Sequence, residues 1–431
     1  MLISDKIRAL ADSAERELSE IFRDIDRIAL NNTEHVLDVF RNNKVSEAHF
    51  APSTGYGYGD MGRDAIDRIC AEVFRAEAGF MRHNFISGTH ALTVGLFGLL
   101  RPGDTMISVT GNPYDTMLEV IGVDESGVRR ANGTGSLADY GVNYRELPMA
   151  GGRVDIPSVC EAIRADESIK VVYLQRSKGY LARPTLTSLE IRECADAVKK
   201  CAAALGRTAP FVVVDNCYGE FTEEREPCFG DDSLAGADMI IGSLIKNPGG
   251  GMADCGGYIA GSARAVELAG YRLVCPGVGL EAGASLGQNR NILRGLFLAP
   301  HVVAQAMKTA HLAAYIFDAL GYKVSPAPFE RRSDIIQTVE CKSGDALVRF
   351  CRGIQSASPV DAHVSPEPWA MPGYADEVVM AAGAFVGGSS IELSCDGPMR
   401  EPFTAFLQGG MTYEAGKLGI MCAAASMTAE A

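Results

Sequence analysis

The sequence predicts an α/β protein with a large domain built on a mainly parallel sheet, followed by a smaller C-terminal α+β domain. Three observations lead there. Short apolar runs at 105–109, 171–175, 211–215 and 239–244 alternate with helical patterns such as 189–204, the order that lays helices against a parallel sheet. One of these runs ends in Asp215 and another leads into Lys246, as strands do where a parallel sheet opens onto a ligand cleft. Beyond a long helical stretch at 293–320 the alternation stops, and 335–339, 346–354, 377–385 and 390–394 read together as a smaller α+β unit. A chain of 431 residues is long enough for two or three such domains. Residues 1–50 are expected to form a helical arm, 51–300 the large domain and 301–431 the small one.

The arm is read from its periodicity. Ile7, Leu10, Ala11, Ala14, Leu18, Ile21, Phe22, Ile25 and Ile28 recur at helical steps, with Ser4 placed to cap the start and Asn31-Asn32 to end it. A second, short helix is expected over 33–40. The segment Ala51-Pro-Ser-Thr-Gly-Tyr56-Gly-Tyr58-Gly-Asp-Met-Gly62 is too rich in glycine for helix or regular strand and predicts an ordered loop.

Composition removes several functions. With 47% hydrophobic and 22% charged residues the chain falls in the globular range. The formal charge of −14 opposes an electrostatically bound nucleic acid or anionic membrane surface, while leaving room for an anionic small molecule in a local pocket. The 12 Cys form no CxxC pair, which predicts reduced thiols in a cytoplasm. No signal peptide or membrane span is apparent.

Two motifs match only in letters. Gly57-Tyr-Gly59-Asp-Met-Gly62 fits the dinucleotide fingerprint G-x-G-x-x-G, but His49-Phe-Ala-Pro-Ser-Thr before it is a poor strand. Gly283-Ala-Ser285-Leu-Gly287 fits the nucleophile elbow, yet 277–283 is not the apolar strand an elbow requires, so a serine near a helix start is the better reading. The seven His have no zinc-ligand spacing.

The informative constellation is Phe211-Val-Val-Val-Asp215-Asn-Cys-Tyr218 followed by Met239-Ile-Ile-Gly-Ser243-Leu-Ile-Lys246-Asn-Pro-Gly-Gly-Gly251. An acid and an amine at the ends of two strands converge on one cleft. An amine that condenses with an aldehyde, an acid that keeps a pyridine nitrogen protonated and a hydroxyl for a phosphate are what pyridoxal phosphate requires.

On these residues the chain resembles the fold-type I pyridoxal-phosphate enzymes, within them the Cys/Met-metabolism group and its methionine γ-lyase-like branch, which also carries the labels aluminium-resistance protein and cystathionine β-lyase. The resemblance extends from the loop near residue 54 to Gln408-Gly-Gly-Met-Thr412 and is strongest in Ser243-Leu-Ile-Lys246-Asn-Pro-Gly-Gly, similar to the S-x-x-K lysine motif. It implies Lys246 as the lysine joined to the cofactor, Asp215 as the pyridinium partner, Ser243 as a phosphate ligand and Tyr218 as a hydrogen-bond partner of the phenolic oxygen. Ser87, Gly88 and Thr89 would open a helix onto the phosphate. Tyr114 would stack on the ring and stand near a leaving group. Tyr56 and Tyr58, with Arg63, would reach the phosphate of a neighbouring subunit. Here the pattern departs from that of relatives, whose tyrosine and arginine lie closer together. Arg400, or in competition Arg176, would grip the substrate carboxylate.

The resemblance thus implies a carbon–sulfur lyase that converts cystathionine, methionine or cysteine by β- or γ-elimination to keto acid, thiol and ammonia. It also implies a homodimer or homotetramer with a shared site. Aldolase or aminotransferase chemistry is the alternative within the fold, and a noncatalytic metal-sequestering protein the alternative outside it, although no carboxylate cluster suits a hard cation.

Overall fold

The computed structural model describes residues 3–130, 133–371 and 376–428. Its N-terminus departs from the expected pair of helices. Ser4 caps α1 (Asp5–Glu17) by accepting from the Ile7 amide, and the chain bends at Leu18 before α2 (Ser19–Asn42). Helix α2 runs through Asn31 and Asn32, where an end was expected. The reason is tertiary: the buried Asn32 amide donates to the carbonyls of Phe221 and Glu223 at 3.2 and 3.1 Å, so its polar group is satisfied without a turn. Residues Ile7, Ala11, Ala14 and Leu18 pack into the core of the C-terminal unit, whereas Ile25, Val36 and Val39 pack into that of the large sheet. The arm therefore touches both cores.

The large sheet follows α3 (Met61–Phe74). Its strands are β1 (Ala78–Arg82), β2 (Thr105–Ser108), β3 (Asn143–Glu146), β4 (Ile169–Gln175), β5 (Phe211–Asp215), β6 (Met239–Ser243) and β7 (Gly257–Gly261), in spatial order β1-β7-β6-β5-β4-β2-β3. Strands β2 to β6 are mutually parallel, and β7 runs antiparallel to both β1 and β6. Helices α4 (Gly88–Leu99), α5 (Asp115–Ile121), α6 (Ile156–Ala165), α7 (Ser188–Ala204) and α8 (Ala263–Leu273) cover it, so β4, β5 and β6 are buried on both faces and read as continuous apolar runs.

Helix α9 (Asn289–Ala319), 31 residues with Pro300 inside it, joins the two cores. Beyond it β8 (Lys323–Ser325), β9 (Gln337–Glu340), β10 (Val378–Ala381), β11 (Ser394–Pro398) and β12 (Thr404–Gln408) form an antiparallel sheet ordered β10-β11-β12-β9-β8, covered by α10 (Gly344–Ser356) and α11 (Tyr413–Thr428). The strand expected at 390–394 instead starts at Ser394, because Ser-Cys-Asp-Gly-Pro, a poor strand by composition, is held between β10 and β12. The glycine-rich loop at 57–62 follows no strand, and Gly283–Gly287 precedes α9, so neither letter match has its structural context.

The turn after β6 depends on its glycines. A Cβ on Gly249 would lie 1.7 Å from the Leu244 carbonyl oxygen, and one on Gly250, at φ +51°, 2.3 Å from the Gly295 carbonyl oxygen of α9. Replacing Gly250→Ala adds left-handed strain to a backbone clash and is expected to lower stability by about 2 kcal/mol or more, read as a lower urea midpoint with unchanged m.

Candidate active site

Strands β5 and β6 are neighbours in parallel register, Asp215 opposite Ile241, so their carboxyl ends deliver Asp215 and the turn from Ser243, the last residue of β6, to Lys246 to one place. There a cavity of about 330 Å³ opens between the two sheets. Lys246, Asp215, Ser243, Tyr218, Ser87, Gly88, Thr89 and Tyr114 all line it. The Asp215 carboxylate accepts from the Cys217 amide at 3.1 Å, and Lys246 Nζ lies 3.9 Å from the centre of the Tyr218 ring. Tyr218 itself adopts φ +71°, a strained conformation for a non-glycine residue at the cavity floor.

Burial sets the electrostatics. It raises Asp215 above the usual carboxylate range, with Lys246 opposing the rise. It pushes the Tyr218 phenol up to about 12, again against the pull of Lys246. Burial disfavours the charge on Lys246, but Cys217, Tyr218 and Asp215 around it more than offset this and the ammonium is held.

Helix α4 supplies the opposite wall. Ser87 caps it by accepting from the His90 amide at 3.1 Å, and His90 Nδ1 in turn accepts from Ile86. Among the described residues the amides of Gly88 and Thr89 have no partner within the chain. A Cβ on Gly88 would sit 3.3 Å from Ser243 Cβ, so glycine lets the helix start approach the end of β6. Two open amides, the positive end of the helix and a serine hydroxyl make a cradle for a phosphate. A buried amine and a buried acid face the same space. These groups fit pyridoxal phosphate.

Other sequence-expected residues lie elsewhere. Arg176 is a correction to the carboxylate clamp: it is fully buried outside the cavity lining, its guanidinium taken up by Glu223 at 3.0 Å, Glu226 at 3.2 Å and Asn216 at 2.8 Å. Arg400 lines not the main cavity but a smaller cleft of about 170 Å³ beside Tyr114, and pairs with Asp376 at 2.8 Å. Tyr56 and Tyr58 are 76% and 66% exposed and stack on each other, outside the cavity. Arg63 is buried beneath their loop and donates to the carbonyls of Gly57 and Gly283 at 2.7 and 3.0 Å, so it braces the loop and has no open face for a phosphate. Ser285 of the elbow-like motif joins the same brace: its hydroxyl accepts from the Ser53 amide at 3.1 Å and its amide donates to the Ser53 hydroxyl at 3.0 Å.

Sequence reasoning missed Gln175, Tyr180, Asp396, Phe406 and Gln408, which also line the cavity. Gln175 closes β4, so the strand-end rule that found Asp215 would have found it too. Its Oε1 accepts from the Tyr114 amide at 2.6 Å and so fixes that turn. Among the described residues no three His, Cys, Asp or Glu side chains gather as a metal site, and no helix is long and apolar enough to cross a membrane.

A profile of the methionine gamma-lyase family matches residues 7–428. The chain belongs to that family. The Bacillus subtilis protein YnbB is 46% identical to this methionine gamma-lyase family chain over 98% of its length and 96% of YnbB. Among solved structures, a candidate cystathionine beta-lyase involved in aluminum resistance from Clostridium acetobutylicum superposes with a TM-score of 0.92 at 44% identity, covering 99% of this chain and 96% of that one. A carbon-sulfur lyase involved in aluminum resistance from Clostridium novyi NT gives 0.90 at 44%, covering 98% and 96%. The pyridoxal-5'-phosphate dependent protein YhfS of Escherichia coli, at 15% identity and TM-score 0.61, shares the fold. Family membership makes this chain a carbon–sulfur lyase of the methionine gamma-lyase family.

Removing Arg176 would strand the buried Glu226 and the half-buried Glu223. Arg176→Ala is expected to lose about 3 to 5 kcal/mol of stability, measured by urea unfolding. A clamp for substrate would instead show as a raised KM with stability unchanged.

Proposed function

We propose that the cavity eliminates a thiol from a thioether amino acid, such as cystathionine, with Lys246 moving the proton at Cα. The observation that carries this is the meeting of buried Lys246 and Asp215 at adjacent strand ends, opposite the open start of α4. Pyridoxal phosphate, when bound, supplies an aldehyde for the substrate amine and a ring that accepts electrons from Cα. Asp215, buried and anchored by the Cys217 amide, would hold the proton on the ring nitrogen. Ser243, Gly88 and Thr89 would hold the phosphate, and Tyr218, with a phenol that stays protonated, would donate to the phenolic oxygen. Tyr114, fixed through its amide by Gln175, would face the ring and return a proton to the leaving sulfur.

The overall change balances as thioether plus water to thiol, keto acid and ammonia. A lysine at Cα serves β-elimination in one step and γ-elimination with a further proton removed at Cβ, so Lys246 accommodates both. The name of the Clostridium acetobutylicum structure supports the β course on cystathionine. Aldolase and aminotransferase courses would leave different products, and nothing in the cavity favours them.

Purified protein should bind pyridoxal phosphate, turn yellow and, after borohydride, retain the label on Lys246. With a panel of sulfur amino acids it should release keto acid and ammonia. Lys246→Ala should cost about 10³-fold or more in kcat; turnover equal to that of the parent would remove Lys246 from the role.

We further infer that the loop bearing Tyr56 and Tyr58 serves the phosphate of a neighbouring subunit in a homodimer or homotetramer. In support, both rings stand exposed on a segment pinned from below by Arg63 and Ser53. The double change Tyr56→Ala with Tyr58→Ala should weaken pyridoxal phosphate binding about 10-fold in equilibrium dialysis, with the melting temperature of the cofactor-free protein unmoved.

A further inference from the structure

One buried acid in the cavity has no part in the elimination just described. Asp396, on β11, is 6% exposed and lines the cavity. It accepts a short hydrogen bond from the Tyr180 hydroxyl. Tyr180 packs against Phe406 of β12 with ring centroids 4.7 Å apart and against Tyr114 at 5.8 Å, so the acid stands at the end of an aromatic wall.

A carboxylate buried this far needs a positive partner. Asp396 forms no ion pair among the described residues, and the cation that acts on it is Lys246. Among the described residues no arginine lines the cavity. Arg400 is engaged by Asp376, and Arg176 by Glu223 and Glu226. Lys246, however, is the amine committed to the cofactor, and its ammonium is then no longer there to face Asp396. What remains is a fixed, oriented, buried acceptor looking into the space a substrate side chain would fill.

We propose that Asp396, oriented by Tyr180, is a specificity-determining residue that accepts a second positive charge on the substrate, so that the cavity prefers amino acids with a distal ammonium to those with an uncharged tail. This rests on the reading of the cavity as an amino-acid site and deepens it. A thioether joining two amino-acid units carries such an ammonium, and methionine does not. An uncharged tail would bury against an unpaired carboxylate, whereas a distal ammonium converts the same group into a charge-assisted hydrogen bond.

The acidity of the group fits the task. Burial, opposed by the Tyr180 hydrogen bond and by Lys246, pushes Asp396 up to about 6. The titratable groups that face it are Tyr180, Lys246 and Tyr218. The Tyr218 phenol, pushed up to about 12, does not ionise near neutrality, so the change in preference expected on acidification follows Asp396.

The test uses the protein loaded with pyridoxal phosphate and follows its visible band. L-Ornithine and L-norleucine have tails of equal length that differ in a terminal ammonium against a methyl, and neither has a thiol to lose. The parent protein at pH 7.5 should bind ornithine about 10-fold or more tighter than norleucine, and the preference should shrink as pH falls below 6. Asp396→Asn, which keeps an acceptor for Tyr180, should bring the two within about 2-fold by weakening ornithine alone. Equal binding by the parent would overturn the proposal. So would an equal loss of both ligands in the variant, which is what a purely structural or proton-donating role predicts. Failure of both amino acids to bind would overturn this proposal and the amino-acid reading together. Keto acid released from S-ethyl-L-cysteine as readily as from L-cystathionine would sink this proposal and leave the lyase reading intact.

Discussion

An ammonium buried at the ends of two core strands is the constraint on which the site depends. Lys246 can keep its charge there only if its counter-groups are fixed, because a mobile dipole in a low-dielectric interior recovers little of the lost hydration. Asp215 ends β5 and Cys217 and Tyr218 follow it in one turn, in which the Cys217 amide donates to Asp215 and Tyr218 and Phe221 stand at φ +71° and +62°. Below it, Asn247, the residue after Lys246, donates to the Glu220 carbonyl at 3.0 Å. The two strand ends are thus tied to each other as well as to the sheet.

A second polar layer lies beneath. Tyr258 of β7 donates to Glu220 at 2.8 Å, Asn216 donates to Tyr258 and Glu226, and Arg176 donates to Asn216. Burial, reinforced by Glu226, pushes Glu220 up to about 8, so at neutral pH it is a protonated, uncharged member of the layer. Arg176 therefore balances Glu223 and Glu226 rather than three carboxylates. The layer fixes the Asp215–Tyr218 turn from behind, a supporting position that explains why a charged residue next to the strand end need not touch a substrate.

Legibility in the sequence followed the parallel sheet. Strands β4, β5 and β6, buried on both faces, announce themselves as apolar runs, and the polar residues that end them mark the cleft. The same rule has a blind spot at 175–176, where side chains alternate: Gln175 faces the cavity, and Arg176 the opposite side, where it pairs with Glu223 and Glu226. Asp396 and Tyr180 were not legible at all. The first sits on an antiparallel strand whose Ser-Cys-Asp-Gly-Pro has no strand propensity, the second in a loop. Their meeting depends on how the small sheet docks, through contacts such as the Ile391 amide to the Ile245 carbonyl at 2.9 Å. Asn32 failed for a related reason, since only the distant partners Phe221 and Glu223 turn a helix stop into a clamp.

The docking of the two sheets also decides how anions are handled inside an acidic protein of formal charge −14. Lys246 is the single cation among the described lining residues, set against Asp215 and Asp396. A phosphate in this cavity would meet the neutral donors of Ser243, Gly88 and Thr89 and the dipole of α4, not a cluster of arginines. Oriented neutral donors lose less to salt screening than free side-chain charges do, because they are fixed within the distance over which screening acts. They also leave Lys246 as the one cation beside the carboxylates of the cavity among the described lining residues. One cavity can therefore hold a dianion at the start of α4 and still keep an open acceptor at Asp396, which Tyr180 ties to the aromatic wall of Tyr114, Tyr180 and Phe406.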